Sequence, residues 1–290
     1  MSDPALTGVT RQHLGDLVVE LFESWAAQRE GRLHDRRGGG RRRVSGAGRK
    51  SGIGFCDRLL VSLISLRMDL PQAVLEVLFG VDQATICRVV GEVRPLLAAR
   101  GYAVSDRPGV RLQTLADALA YAQHEGAVLR LDAHRPCWRA FGSGKKNLHT
   151  IKTTIVSDGA GRTLWIGVFR PGRQHDQTAI RREGIDALLD EFSRVRALAD
   201  AGYRGLRRDH PGQVIVPPLE ARKNVAVPTV TAAIRARART RQSAQRITVE
   251  HAIAAHKQWR GLRRWTHRRE DLPATYHAVA GLVSDRDVMR

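Results

Sequence analysis

A chain of 290 residues, 42% of them apolar, can close one large core or two modest ones and is too apolar for a disordered tail. Its formal charge of +19 and pI near 11.2 rest mostly on arginine, whose planar donor fork suits phosphate, so the favoured partner is nucleic acid rather than an acidic membrane surface. No run approaches the roughly 20 apolar residues of a membrane span, and the opening MSDPALTGVT lacks a basic-then-apolar leader pattern. Cys56, Cys87 and Cys137 are scattered without a C-x-x-C pair, which predicts reduced thiols of a cytoplasmic protein and no zinc site.

Residues 1–30 predict a helix, with Leu14, Leu17, Val18, Leu21 and Phe22 at helical spacing. Residues 31–53, rich in Gly and Arg, predict a basic linker that can also meet phosphates. Residues 54–107 read as three helices: Asp57–Arg67, a second from Pro71 to Gly80, and a third that Asp82 caps at Gln83 and that ends or kinks before Pro95. Two helices around a Gly-containing turn, with Gln83, Thr85 and Arg88 exposed near the start of the second, match a DNA-binding helix-turn-helix; an ordinary helical hairpin is the plainer alternative. A connecting helix falls within 108–126, around Leu115–Ala122.

From residue 127 to 290 the texture becomes mixed α/β. AVLRLDA predicts a strand ending at Asp132, HTIKTTIVSD and TLWIGVFRPG a hairpin turning at DGAG, and residues 176–192 a helix. VRALADAGYRG predicts a strand ending at Asp200, QVIVPP another strand, and residues 230–246 a basic helical stretch whose arginines either form a solvated face or follow a DNA backbone. The helix RITVEHAIAAHKQWRGLRRW then aligns Arg246, Glu250 and Lys257 on one stripe with Ile253, flanked by Val249, Ala254 and Ile247, which predicts a stripe facing inward or into a cleft. GSGKK does not qualify as a P-loop, because Arg139 replaces its first Gly and Lys146 its Ser/Thr. Trp138, Trp165, Trp259 and Trp265 read as packing residues.

Asp132 and Asp200 share one kind of position, the C-terminal end of an apolar strand, where sites collect in open α/β sheets. On neighbouring strands they would converge, and Glu250 on a helix across the sheet would complete the set. Three crowded carboxylates repel one another, and oxygen-only ligands without thiols point to Mg²⁺ or Mn²⁺ as the relief. Two such ions, about 3.5–4 Å apart, serve an in-line phosphodiester displacement.

On LRLDA, IKTTIVSDGAGRTLWIGVFRPGRQHDQTAI, ALADAGYRG, RITVEHAIAAHKQWRGLRRW and AGLVSDR, the chain resembles the DDE transposases of bacterial insertion sequences, a branch related to Harbinger-type transposases. The resemblance covers roughly residues 55–285 and includes the Arg-Glu-Lys part of a Tyr-Arg-Glu-Lys signature, with Ser243 at the Tyr position. It implies an RNase H-like mixed sheet with flanking helices, preceded by an all-α helix-turn-helix domain. It further implies Asp132, Asp200 and Glu250 as catalytic metal ligands for two Mg²⁺ (or Mn²⁺) ions, with Lys257 and Arg246 near DNA phosphates. Asp176 competes for the second ligand position; capping a helix is its plainer role, and His175 reads as structural. The implied partners are double-stranded DNA, as terminal repeats and target, and further copies of the chain, in a bacterial nucleoid-associated setting. One departure stands out: DAHRPCWRAFGSGKK lacks the usual Gly-Thr after the first Asp and is shorter than in such relatives. That leaves two readings open, an active transposase and a decayed transposase or DNA-binding regulator.

Overall fold

The computed structural model describes residues 1–40, 52–104, 107, 109–134, 137–143, 148–219, 228–265 and 267–288. The side chains of 137–143 and 148–150 are outside the description, so Trp138, Cys137 and the GSGKK stretch, like the linker at 41–51, fall outside it. No helix among the described residues is long and apolar enough to cross a membrane.

Helix α1 (Pro4–Thr7) leads into α2 (Arg11–Arg37), which Thr10 caps through the His13 N–H and which buries Leu14, Leu17, Leu21 and Trp25. The helix runs to Arg37, past residue 30, because no residue within it adopts a left-handed backbone before Gly38; the expected linker therefore starts later than its composition suggests. Next come α3 (Phe55–Met68), α4 (Gln72–Phe79) and α5 (Gln83–Ala98). Gly80, at φ 63°, ends α4, and the Asp82 carboxylate caps α5 by accepting the Thr85 N–H at 2.7 Å. Of the expectation that α5 ends or kinks before Pro95, the ending is corrected: the helix continues through it to Ala98. The residue four positions earlier, where the proline ring crowds the preceding turn, is Gly91.

Strands β1 (Tyr102–Ala103) and β2 (Arg111–Leu112) pair with each other, and α6 (Leu115–Glu125) follows behind a Thr114–Asp117 capping box. The large sheet then forms from β3 (Val128–His134), β4 (Cys137–Ser143), β5 (Leu148–Ser157), β6 (Thr163–Ile166) and β7 (Arg170–Pro171). Helices α7 (Asp176–Arg182) and α8 (Ile185–Glu191), β8 (Arg196–Ala199), α9 (Arg204–Asp209) and β9 (Val214–Ile215) complete this half. Last come α10 (Thr229–Lys257), β10 (Arg264–Trp265) and α11 (Asp271–Val288). The sheet order is β10-β4-β5-β3-β8-β9, with β6 and β7 also paired to β5. It is mixed: β3 with β5 and β4 with β5 are antiparallel, β3 with β8, β8 with β9 and β10 with β4 parallel.

Four expectations change. The DAHRP stretch is followed by a strand, β4, that was not foreseen; the single helix 176–192 divides at Gly184, φ 74°; the hairpin partner 163–172 divides into two short strands; and the basic stretch and the Glu250 helix are one helix of 29 residues. The DGAG turn does form. Asp158 accepts the Ala160 and Arg162 N–H groups, and Gly161, at φ +81°, presses against α10, since a Cβ there would lie 2.8 Å from the Thr248 carbonyl oxygen.

One core unites α2, α3, α5, α6, the sheet, α10 and α11, while Ile53, Val61, Ile64, Leu75, Ile86 and Val89 form a smaller core inside α3–α5. Helices α10 and α11 lie against the sheet face that carries His134 and Thr163. There a buried chain runs from Thr163 Oγ1 to His256, from His256 to the Tyr276 hydroxyl, and on to His134 Nδ1. Burial pushes both histidines down to about 3, so they are neutral at ordinary pH.

Candidate active site

Strands β3 and β8 run side by side in parallel, ending in register with Leu131 opposite Ala199. The next residue of each strand is Asp132 and Asp200, so the two carboxylates are neighbours where the β3–β8 pairing stops; the expectation that the first strand ends at Asp132 is corrected, since β3 continues to His134 on its pairing with β5, while β8 ends before Asp200. Asp200 turns out of the strand as the cap of a 3₁₀ turn, Ala201–Tyr203, and its Oδ1 accepts the Gly202 N–H at 2.7 Å. Asp132 Oδ1 accepts the Ala133 N–H at 2.7 Å, and Oδ2 accepts from the Arg246 guanidinium at 3.0 Å.

Helix α10 brings Arg246 there because its inner face is pinned to the sheet edge. The buried Gln242 amide donates to the carbonyls of Ala199 and Ile215 at 3.2 and 3.0 Å, and Arg130 Nε donates to the Gln245 carbonyl at 3.1 Å. The buried face continues through Val249, Ala252, Ile253 and His256. Of the two aspects expected for the stripe, inward or into a cleft, the inward one is thereby corrected. Glu250 and Lys257 are exposed, Arg246 is half-buried, and Ile247 and Ala254 face solvent. On a helix wheel the charges lie at the rim of the packed face, beside Ile253, rather than at its centre.

The electrostatics follow this arrangement. Burial pushes the Asp132 carboxyl above its ordinary value, the Arg246 guanidinium opposes that, and like charge on Asp200 and Glu250 adds to it. Tyr203, fully buried beneath, has its hydroxyl pushed well up by burial and then by Asp176, Asp132 and Asp200.

Asp176 reaches the same edge from the other side. His175 caps α7, its Nδ1 accepting the Gln177 N–H at 3.3 Å, and Asp176 is the first helical residue instead of the cap. Its carboxylate pairs with the ammonium of Lys152, which also donates to the Gln174 carbonyl at 2.7 Å. Lys152 is three positions from Ile155, the register partner of Asp132, so it projects from the opposite sheet face. Asp176 Oδ2 and Asp200 Oδ1 nevertheless close over Gly202, 3.2 and 2.9 Å from where a Cβ would sit. Sequence reasoning missed both Lys152 and Gly202. The signal for the first was a lysine inside the β-branched run IKTTIV, where an inward ammonium needs a carboxylate.

Residues 135–284, just over half the chain, match the family described as DDE superfamily endonuclease, and residues 54–103 match the helix-turn-helix of DDE superfamily endonuclease. The chain belongs to the DDE superfamily endonucleases. No curated protein and no solved structure matches it. The catalytic-domain match contains Asp176, Asp200 and Glu250 and begins three residues after Asp132, whose place at this edge comes from the β3–β8 pairing.

Membership supports a transposase-type, DNA-cleaving function, in a superfamily that generally uses divalent metal ions. Among the described residues no three Asp, Glu, His or Cys side chains stand close enough together to hold one ion. The donor chemistry still fits a hard divalent cation: oxygen ligands only, mutually repelling around a desolvated Asp132. Arg246 is the counter-charge of Asp132 as the residues stand.

In the endonuclease's helix-turn-helix, Gln83 and Arg88 are exposed and Thr85 half-buried at the start of α5. Gln83 donates to Gln72 at 3.3 Å, and Arg88 donates to the Thr85 hydroxyl at 2.8 Å, so these side chains form a small prearranged surface around the Asp82 cap.

Proposed function

We propose that this endonuclease is a transposase that binds the terminal repeats of a bacterial insertion sequence, cuts its ends and joins them to target DNA. In this reading Asp132, Asp200 and Glu250 hold Mg²⁺ or Mn²⁺, two ions in the catalytic assembly, and Lys257 and Arg246 meet DNA phosphates. Gln83, Thr85 and Arg88 contact DNA from the helix-turn-helix. The observation that carries it is the parallel register of β3 and β8, which sets Asp132 and Asp200 at one sheet edge. Arg246 and Glu250 come to that edge on α10, and Glu250 adds to the charge on Asp132.

Asp200 supports the second ligand role better than Asp176, because Lys152 already neutralises Asp176 and approaches from the other face. Asp176 and Lys152 then act as a brace behind Gly202, fixing the turn that carries Asp200. Bound divalent ions would polarise the attacking oxygen and neutralise the leaving one. The chain itself orients the carboxylates, through the Ala133 and Gly202 N–H groups, and supplies cations along the cleft. Copies of the chain acting as a dimer or higher assembly on DNA, and a place at the bacterial nucleoid, belong to the same proposal. So does a helix-turn-helix domain over 54–107 followed by a catalytic domain over 127–290, the two sharing a core.

One observation favours the second reading, a decayed transposase kept as a DNA-binding regulator: the Arg246 guanidinium already occupies Oδ2 of Asp132. Nicking of a DNA fragment carrying the element's terminal repeats separates the two. The transposase reading expects Mg²⁺-dependent nicks at the repeat ends that Glu250→Gln abolishes. Binding without nicking by the native protein in both Mg²⁺ and Mn²⁺ would leave the regulator reading standing.

A further inference from the structure

Arg67 stands in the last turn of α3, Arg260 and Arg263 belong to the 3₁₀ turn that follows α10, and Arg286 stands in the last turn of α11. Helix α3 packs against that 3₁₀ turn, and the buried Trp259 pins the junction. The Arg67 guanidinium lies over the Trp259 ring, 5.6 Å from its centroid, and Gly8 presses on the same ring, where a Cβ would come within 2.7 Å. Burial, and then the charges of Arg286, Arg263 and Arg260, push the Arg67 guanidinium below its ordinary value. Every charge acting on it is of its own sign.

The four side chains use few of their donors within the chain. Those of Arg67 and Arg260 make no hydrogen bond or ion pair among the described residues. Arg263 donates Nε to the Lys257 carbonyl at 2.7 Å, and Arg286 donates Nη1 to Gln258 at 3.2 Å while its buried Nε has no hydrogen-bond partner. Of the carboxylates at the junction, Asp69 accepts from His267 at 2.7 Å, and Asp287 is 3.6 Å from Arg286 Nε. Thr266, Met289 and Arg290, the nearest residues in the chain outside the described ones, carry no acidic side chain. A desolvated guanidinium among like charges is unfavourable until an anion joins it, and planar forks suit phosphate. A phosphodiester has two free oxygens, enough for about two forks, so four guanidinium groups match two successive phosphates.

Position names the source of those phosphates. The Arg263 bond ties the cluster to Lys257, seven residues and about 10 Å of helix from Glu250. On the other side Arg67 is five residues, at most about 17 Å of chain, from Gln72, which is bonded to Gln83 and Cys87 of α5. A duplex that meets α5 and the catalytic edge together has its backbone within reach of the cluster.

We propose that Arg67, Arg260, Arg263 and Arg286 form a clamp for two successive backbone phosphates of duplex DNA, between the part held by the helix-turn-helix and the part at the catalytic edge. The inference rests on the chain's being a DNA-binding endonuclease but not on its being catalytically active.

The test uses the full chain and a random-sequence duplex of about 40 base pairs, reading the slope of log affinity against log salt, which falls by about 0.9 per lost phosphate contact. Arg260→Gln/Arg263→Gln should lower the slope by about 1, and Arg67→Gln added to that pair by about 2 in all. Arg196→Gln, exposed at the start of β8, should leave it unchanged. Without DNA the double variant should unfold at the native urea concentration or a higher one, because like charges are removed and the bond lost is that of Arg263 to Lys257. A triple variant that keeps the full slope overturns the proposal, whatever its stability. Where the triple variant folds poorly, Arg260→Gln alone decides, since it removes no bond in the chain: it should weaken duplex binding several-fold at low salt, and unchanged binding overturns the clamp. Inorganic phosphate is the second probe. If it raises the native unfolding midpoint while the triple variant keeps its duplex slope, the cluster holds a free anion; if the triple variant changes only sedimentation, it holds an acidic face of a second copy. Either result overturns the duplex assignment. Arg88→Gln is the reference: a native protein whose binding has no salt slope and ignores Arg88→Gln would instead break the reading of the chain as DNA-binding.

Discussion

Asp285 and Asp132 both sit against arginine guanidinium groups, 2.6 Å from Arg100 in one case and 3.0 Å from Arg246 in the other. Burial works to raise both carboxyls. At Asp285 it is overcome by His13 at 3.0 Å, by Arg100 and by Arg111 at 2.9 Å, and the group is held down at about 2. At Asp132 burial prevails, because a single arginine faces the like charge of Asp200 and Glu250. The first aspartate is a saturated hub, tying α2, the turn after α5, β2 and α11 together. The second is left short of positive charge at the sheet edge. A buried charge with all its partners builds structure; one whose neighbours make it worse keeps free energy in reserve for a ligand.

The sharpest way to break that contrast is Asp285→Asn. It leaves the Arg100 side chain, only 4% exposed, with Glu20 as its remaining carboxylate, takes the charge away from His13 and Arg111 as well, and should cost about 3 kcal/mol, read from urea unfolding. A cost near zero would mean that the hub is ornamental. Next comes pH. A carboxyl held below its unfolded value of 3.8 contributes stability that is complete above that value and lost as pH falls toward about 2, here about 2 kcal/mol. Native protein should show that loss between these pH values, and Asp285→Asn should not. Gly202→Ala comes third. Its Cβ would stand 2.9 Å from Asp200 Oδ1 and must push that carboxylate aside, costing about 1 kcal/mol and weakening metal-dependent nicking more than DNA binding.

The smallest effect on folding is expected at Asp132 itself. A carboxyl raised above its unfolded value contributes stability at low pH and loses it as pH rises through the folded value, so at pH 7 its charge is a cost. Asp132→Asn should therefore leave the unfolding midpoint unchanged, or raise stability by about 0.5 kcal/mol, while abolishing nicking. Clear destabilisation would show that the Arg246 pair outweighs the repulsion and that the two aspartates are alike after all.

What the sequence made legible has a common physical origin. Asp132 and Asp200 end apolar runs, and Asp82 caps a helix behind a glycine; each is a local signal set within a few residues. The hub around Asp285 was not legible, since His13 lies 272 residues away in the chain and Arg100 185. Periodicity on α10 named the charged stripe but misjudged its aspect, because a helix wheel has no origin until Gln242 and Val249 meet the sheet. Lys152 and β4 were hidden for a related reason. A strand's partners, and so the face on which a lysine needs a carboxylate, are fixed only by the whole sheet.

The contact of Gly161 with the Thr248 carbonyl has a mechanical consequence. That glycine sits under the middle of a clamp: from the Gln242 anchor to the buried His256, α10 is held to the body over about four turns, and Glu250 lies between its buried residues Val249 and Ala252. Load on the exposed residues ahead of Gln242 is therefore taken up at that first anchor, and Glu250 keeps its place relative to the sheet edge.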